Sequence, residues 1–147
     1  MEDIITIYEG NIEELEKINA NIPEFESDYI TKSISERIED KKSVILIASI
    51  DKMPASYMIS YDRYGDKSIY CWMSATDPSY RRRGLLKALM DYQINWSKKR
   101  GYGKIRIKTR NNRREMLMYL IKYGFNLIDI EKSEKIEDYR IQLEKNI

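Results

Sequence analysis

The residues of this chain with the clearest chemistry are Arg81, Arg82, Arg83 and Gly84, in the run Asp77-Pro78-Ser79-Tyr80-Arg81-Arg82-Arg83-Gly84-Leu85-Leu86. Their chemistry is anion binding. Leu85, Leu89, Tyr92 and Trp96 recur at i, i+4, i+7 and i+11, which predicts a helix over residues 85 to about 100. The apolar run 69–76 ahead of the loop predicts a strand. A helix start carries unpaired N–H groups and positive dipole density. Gly84 lets the backbone approach a ligand closely, and the arginines add charge. A phosphate or pyrophosphate is the ligand that such a strand–loop–helix unit predicts. Solvated arginines and a proline at a turn give the plainer account of the same residues.

Other chemistries are narrowed by what the chain lacks. It has no histidine, which removes Ser-His-Asp and Cys-His catalysis and argues against a zinc site. Proton transfer must then fall on carboxylates, lysine, water, Cys71 or one of the 12 tyrosines. The single cysteine excludes an intrachain disulfide, and the acidic start Met1-Glu2-Asp3 lacks a secretory pattern, so the expected location is cytoplasmic. No apolar run reaches the roughly 20 residues needed to span a bilayer. Net charge is +2, but residues 81–114 hold 13 Lys and Arg against one acid, Asp91. The remainder carries 13 basic and 23 acidic residues, so the positive field gathers around the arginine loop and suits a polyphosphate or a nucleic acid.

The elements that must position this loop follow from the chain in order. At 147 residues, with 42% hydrophobic and 34% charged residues, it reads as one soluble domain over 1–147. Residues 4–8 predict a strand, and Asn11 a cap on a helix through Ala20. After a break at 22–26, a second helix is expected from Ser27 or Asp28 to about Asp40, burying Tyr29, Ile30, Ile34 and Ile38. Strands over 44–50, 55–61 and 69–76, joined by turns at 51–54 and 62–67, make an antiparallel meander. The long helix ends at Gly101-Tyr102-Gly103, and Ile105, Ile107 and Thr109 alternate with Arg106, Lys108 and Arg110 in a strand. A helix between two strands implies a parallel pair. Asn111 or Asn112 is expected to cap a helix over about 113–123, closed by Gly124, with strands over 125–130 and 139–143 after it. The expected fold is α/β: a mixed, mostly antiparallel sheet of about seven strands flanked by about four helices. The loop then lies at the carboxyl end of a strand beside a parallel neighbour, where open α/β sheets bind ligands.

This order of elements resembles the GNAT superfamily of N-acetyltransferases over nearly the whole chain. The sharpest likeness is Thr76 to Leu86, where the family has a strand end, a proline, an aromatic, and Arg/Gln-x-x-Gly-x-Gly/Ala opening a helix. Arg81 and Gly84 match; Leu86 replaces the final small residue. The second likeness runs from Thr109-Arg110-Asn111-Asn112 to Lys122-Tyr123-Gly124-Phe125, like the family's asparagine-led helix ending in Gly-Phe. The resemblance implies acetyl-CoA as acyl donor, with Thr76, Asp77, Pro78, Arg81, Arg82, Arg83, Gly84, Leu85, Leu86, Lys87, Asn111 and Asn112 as its contacts. It implies direct transfer to a primary amine, in a small molecule or a peptide or protein, without a metal. It also makes a homodimer one of the expected assemblies. Many members place a general-acid tyrosine four residues before the Gly of Gly-Phe; here that position is Leu120, with Tyr119 about 100° away around the helix as the candidate acid. Glu24, Glu26 and Tyr29, on the stretch expected to face the acceptor, are candidates for attracting a cationic amine. Two other readings stand beside transfer: an acyl-CoA-binding sensor or partner subunit of the same fold, and a nucleic-acid-binding module using the basic segment.

Overall fold

The meander expected from the three apolar runs forms the middle of a seven-stranded sheet of order β1-β2-β3-β4-β5-β7-β6. The computed structural model describes residues 3–23 and 27–147, with side chains described outside 27–31. The strands are β1 (Ile5–Glu9), β2 (Ser43–Ile50), β3 (Met53–Tyr61), β4 (Ser68–Thr76), β5 (Lys104–Arg110), β6 (Asn126–Glu131) and β7 (Arg140–Asn146). Among the described residues the helices are α1 (Ile12–Asn19), α2 (Ser27–Ile38), α3 (Leu85–Lys99) and α4 (Arg114–Lys122). β4 and β5 are parallel, and the other neighbouring pairs are antiparallel.

Alternation along β2 assigns the two faces. Val44, Leu46, Ala48 and Ile50 join Leu85, Leu89, Trp96, Leu117 and Leu120 in the core beneath α3 and α4. Ile45 and Ile47 join Leu15, Ile18 and Ile34 beneath α1 and α2. Burial of both sheet faces explains why β2 is a nearly continuous apolar run and why β3 is buried from Ala55 to Tyr61. In α3 the buried stripe is Leu85, Leu89, Met90, Gln93, Trp96 and Ser97, with Tyr92 half-buried. It differs from the expected stripe because Gln93 and Ser97 pair with each other: Gln93 Nε2 donates to Ser97 Oγ (3.0 Å), which donates to the Gln93 carbonyl (2.7 Å), while Gln93 Oε1 is left without a partner among the described residues. A buried polar pair of this kind is invisible to a hydrophobic periodicity.

Three expected boundaries need correction. The β2–β3 turn is two residues, Asp51 and Lys52, both with positive φ (47° and 71°), so the strand starts at Met53 and not Ala55. The register shifts at Ala48/Ser49, where Ala55 is the extra residue of a bulge and Pro54 stands opposite Ser49 beside it. The N-cap of α4 is Arg113, not Asn111 or Asn112, and it makes no side-chain capping bond. The turn after β5 instead docks on the β6–β7 connection: Asn111 Nδ2 donates to the Ile136 carbonyl (3.1 Å), and the N–H groups of Asn111 and Asn112 to Tyr139 and Glu137. Phe125 precedes β6 rather than opening it. Its N–H returns to the Leu120 carbonyl across Gly124 (φ 100°), closing α4 in a Schellman turn with the ring buried.

Candidate functional site

The parallel pairing of β4 and β5 is short. It runs from Ser68 opposite Lys104 to Cys71 opposite Ile107 and stops. On the other side of β4, Ile59 pairs with Met73 and Ser60 with Cys71, so Trp72 is the extra residue of a β-bulge. A bulge bends and twists its strand, and beyond it Met73–Thr76 leave β5. Between the parted strands lies a cleft of about 520 Å³ that passes through the sheet, with Ile34 of α2 at one side and Met90 and Leu120 of α3 and α4 at the other. The β5-facing backbone edge of β4 is thereby free over the half that leads to the loop.

The loop is held from within. Asp77 is buried, accepts the Ser79 N–H on its carboxylate (2.9 Å), and donates its own N–H to the Ala55 carbonyl (2.8 Å). That fixes the Pro78–Tyr80 turn and leaves the Asp77 N–H unavailable to a ligand. Arg81 Nε reaches back to the Thr76 carbonyl (3.4 Å), and Arg83 lies over the Tyr80 ring. Arg82 (φ 63°) and Gly84 (φ 82°) take left-handed backbone, and Gly84 caps α3 with no side-chain bond. Among the described residues, the N–H groups from Arg81 to Lys87 find no acceptor in the protein. A Cβ placed on Gly84 would meet nothing within 4 Å, so the space in front of these N–H groups is open. Two cavities adjoin the loop. One of about 210 Å³ is bounded by Thr76, Tyr80, Arg82, Gly84 and Tyr119, and one of about 610 Å³ by Ser74, Thr76, Arg81 and Arg113. Leu86 borders both and the through-sheet cleft as well, so the three spaces meet at its side chain.

The structure thus brings Thr76, Arg81, Arg82, Gly84, Leu85, Leu86 and Lys87 into one cradle, with Asp77 and Pro78 as its frame. Asn111 and Asn112 are spent on the β6–β7 connection and line none of these three spaces. Glu24 and Glu26 lie outside the described residues, as does the side chain of Tyr29. Helix α4 is regular, so Leu120 borders the cleft while Tyr119 stands under the loop, its hydroxyl buried and without a partner. Burial first, and then the charge of Asp91, pushes the Tyr119 hydroxyl up to about 12. Cys71 lines the cleft, and burial pushes its thiol up to about 12, so it stays protonated at neutral pH. Sequence reasoning missed the bulge at Trp72 and the part of Ser74, Arg113 and Met116 in the walls. None of these carries a motif, and only the register exposes them.

The basic β5 residues are largely neutralised: Lys104 and Arg106 pair with Glu144, Arg106 also with Asp66, and Lys108 with Glu131. This pairing leaves little free charge along the middle of β5 for a nucleic-acid track. No helix among the described residues is long and apolar enough to cross a membrane.

Comparison with known proteins points the same way. The model of the acetyltransferase (GNAT) family matches residues 10–125. No curated protein matches the chain by sequence. Among solved structures, the ribosomal-protein-S18-alanine N-acetyltransferase of Escherichia coli is similar at a TM-score of 0.78 and 18% identity, covering 98% of this chain and 94% of that one. A GNAT family acetyltransferase of Elizabethkingia anophelis, solved with acetyl-CoA bound, superposes at 0.74 and 17% identity over 97% and 98% of the two chains. An acetyltransferase of Bacillus subtilis in complex with CoA superposes at 0.74 and 18% identity over 99% of each.

Proposed function

The chain belongs to the GNAT family of acetyltransferases, and from that premise we propose that it moves an acetyl group from acetyl-CoA directly to a primary amine. The observation that carries this is the continuity of an open anion cradle with a cleft through the sheet. The cradle supplies the free N–H groups of residues 81–87, the α3 dipole and the side chains of Arg81 and Arg82, which suit a diphosphate. The orphaned Tyr119 hydroxyl adds a donor on the cradle's inner wall. Above it, the open backbone edge of residues 73–76 has the geometry to pair with the amide-bearing arm of CoA as one more strand would.

The arm then delivers the thioester to the cleft beside the Trp72 bulge. Apolar walls from Met58, Leu86, Met90 and Leu120 exclude water there, and freed β4 backbone N–H groups steady the oxygen as charge develops on it. Holding donor and amine in one cleft supplies much of the rate. With no histidine present, the amine loses its proton to a carboxylate or through water. A thiol has a reference pKa of about 8.5 and leaves as the thiolate near neutral pH, so Leu120 in place of a side-chain acid is tolerable. Cys71, held as a protonated thiol, is unsuited to carry the acetyl group.

Leu120 also favours a second reading, in which the chain binds acyl-CoA without transferring it. Thermal unfolding with acetyl-CoA, with CoA and with a short oligonucleotide tests the shared part. Ligand at about 100 times its Kd adds roughly 2.7 kcal/mol, a rise on the order of 5 °C in Tm. Absence of any shift at millimolar acetyl-CoA overturns both readings, and a shift with the oligonucleotide alone moves the function to nucleic acid. Release of CoA with a broad amine panel then separates enzyme from binder.

A further inference from the structure

The cleft is also walled from the α1–α2 side of the sheet, and the charge at that mouth is informative. Trp72, which packs with the α1–α2 side of the sheet, together with Lys108, Thr109 and Arg110, walls both the through-sheet cleft and a cavity of about 190 Å³ completed by Tyr70 and Arg140. Among the described residues no carboxylate lines that cavity. Lys108 is already paired, its Nζ donating to Glu131 (2.9 Å), and Glu131 also accepts from Gln142. Arg110 and Arg140 are different. They are direct cross-strand partners in the β5–β7 register, and among the described residues neither guanidinium forms an ion pair, although Arg140 also stands opposite Glu131 on β6 and helps Lys108 to lower its carboxyl. Like charges placed directly opposite on a sheet repel. On their outer side the two arginines border a further cavity with Glu134 and Asp138, but neither carboxylate comes within ion-pair distance of them.

We propose that the amine acceptor carries a carboxylate or phosphate group, and that Arg110 and Arg140 hold it at this mouth with the amine directed into the cleft. The inference rests on the transfer reading above and names its substrate class. An anion between the two guanidiniums turns a repulsive pair into two charge-assisted contacts, the arrangement for which arginine's planar fork is suited. The cavity is smaller than the roughly 300 Å³ of a drug-sized pocket, which fits one anionic head group on a short chain. Arg110 and Arg140 are themselves exposed, and the buried Tyr70 and half-buried Trp72 form the aromatic wall behind them. A cationic acceptor, the expectation raised by Glu24 and Glu26, meets the wrong sign here. In the reaction the ammonium first loses one proton to water, the amine nitrogen bonds to the acetyl carbon, the carbon–sulfur bond breaks with its electron pair on sulfur, and the second proton leaves the nitrogen through water to the thiolate. The anionic group is untouched.

The test is CoA release at saturating acetyl-CoA for matched acceptors: α-amino acids against their carboxamides, phosphoethanolamine against ethanolamine, and spermidine. The expected result is a kcat/KM at least tenfold higher for the anionic member of a pair, and the two kinds of pair distinguish carboxylate from phosphate. Arg140→Gln and Arg110→Gln should each raise KM for the preferred anionic acceptor by about tenfold, the usual loss for a charge-assisted hydrogen bond, with the uncharged partner's KM unchanged. Preference for spermidine or for the carboxamides, or an equal loss on both members of a pair, overturns the proposal while leaving acetyl transfer standing. If nothing turns over, calorimetric titration of each pair into CoA-saturated protein reads the mouth directly, and equal or absent binding overturns it. Failure of acetyl-CoA to raise Tm is separate, and removes the transfer reading itself.

Discussion

Tyr119 and Cys71 keep their protons at neutral pH for one reason, burial, and that decides what each can do. A tyrosine pushed up to about 12 is a poor source of a proton for a thiolate but a good hydrogen-bond donor. Its hydroxyl is unpartnered under the loop, so Tyr119→Phe should leave the free protein as stable or more so by about 1 kcal/mol. The same change should weaken acetyl-CoA by about fivefold and hold kcat within about threefold. A fall in kcat of about 100-fold at unchanged Kd would instead make Tyr119 the acid. For Cys71→Ala the expectation is a kcat within about threefold and an acetyl-enzyme absent from intact-mass spectra, because a protonated thiol is no nucleophile. Residue identity alone had singled out Tyr119. Its direction depended on the phase of α4, which places Leu120 in the cleft. Arg110 and Arg140 were visible only as charged residues of two strands, since a cross-strand pair exists only once register is fixed.

The strand–loop–helix unit is where sequence and structure agree best, because its signals are local. Proline, glycine and an apolar stripe each constrain neighbouring backbone directly. The Asn111 cap failed for the opposite reason: a tertiary partner, the Ile136 carbonyl, competes for the side chain. Gly84 gives the element its sharpest test. Its φ of 82° suits alanine poorly, by about 1–2 kcal/mol, and the added methyl would stand in the open space before the N–H groups. Gly84→Ala should therefore lower Tm by several degrees and weaken acetyl-CoA by at least tenfold. Loss of stability with affinity retained would move the diphosphate elsewhere on the chain.

The whole molecule distributes its charge around the cleft. Pairing with Asp66, Glu131 and Glu144 quiets the centre of β5, and the loop arginines and the Arg110–Arg140 pair are left to face the two mouths. Composition showed the basic segment but not this division, which the order β4-β5-β7 creates. The same burial sets the pH profile of stability. Tyr57 and Tyr70 are raised to about 12 from near 10 by burial, and Tyr8 by burial and then its bond to Glu14; Tyr119 and Cys71 go the same way. A raised pKa means that the unfolded chain releases these protons first. Above about pH 9 it binds fewer protons than the folded chain, and stability falls through about pH 12. On the acid side, the hydrogen bond from Ser68 lowers Asp66 and that from Lys108 lowers Glu131. Their contribution is present above about pH 4 and is lost as the pH falls, but both are well solvated and the loss is small. With no histidine to titrate between, Tm measured across buffers should be level from about pH 6 to 8 and descend above about pH 9. A step in Tm between about pH 6 and 8 would require a titrating group that these shifts do not contain. A level profile there lets any pH dependence of acetyl transfer in that range be assigned to the amine and not to unfolding.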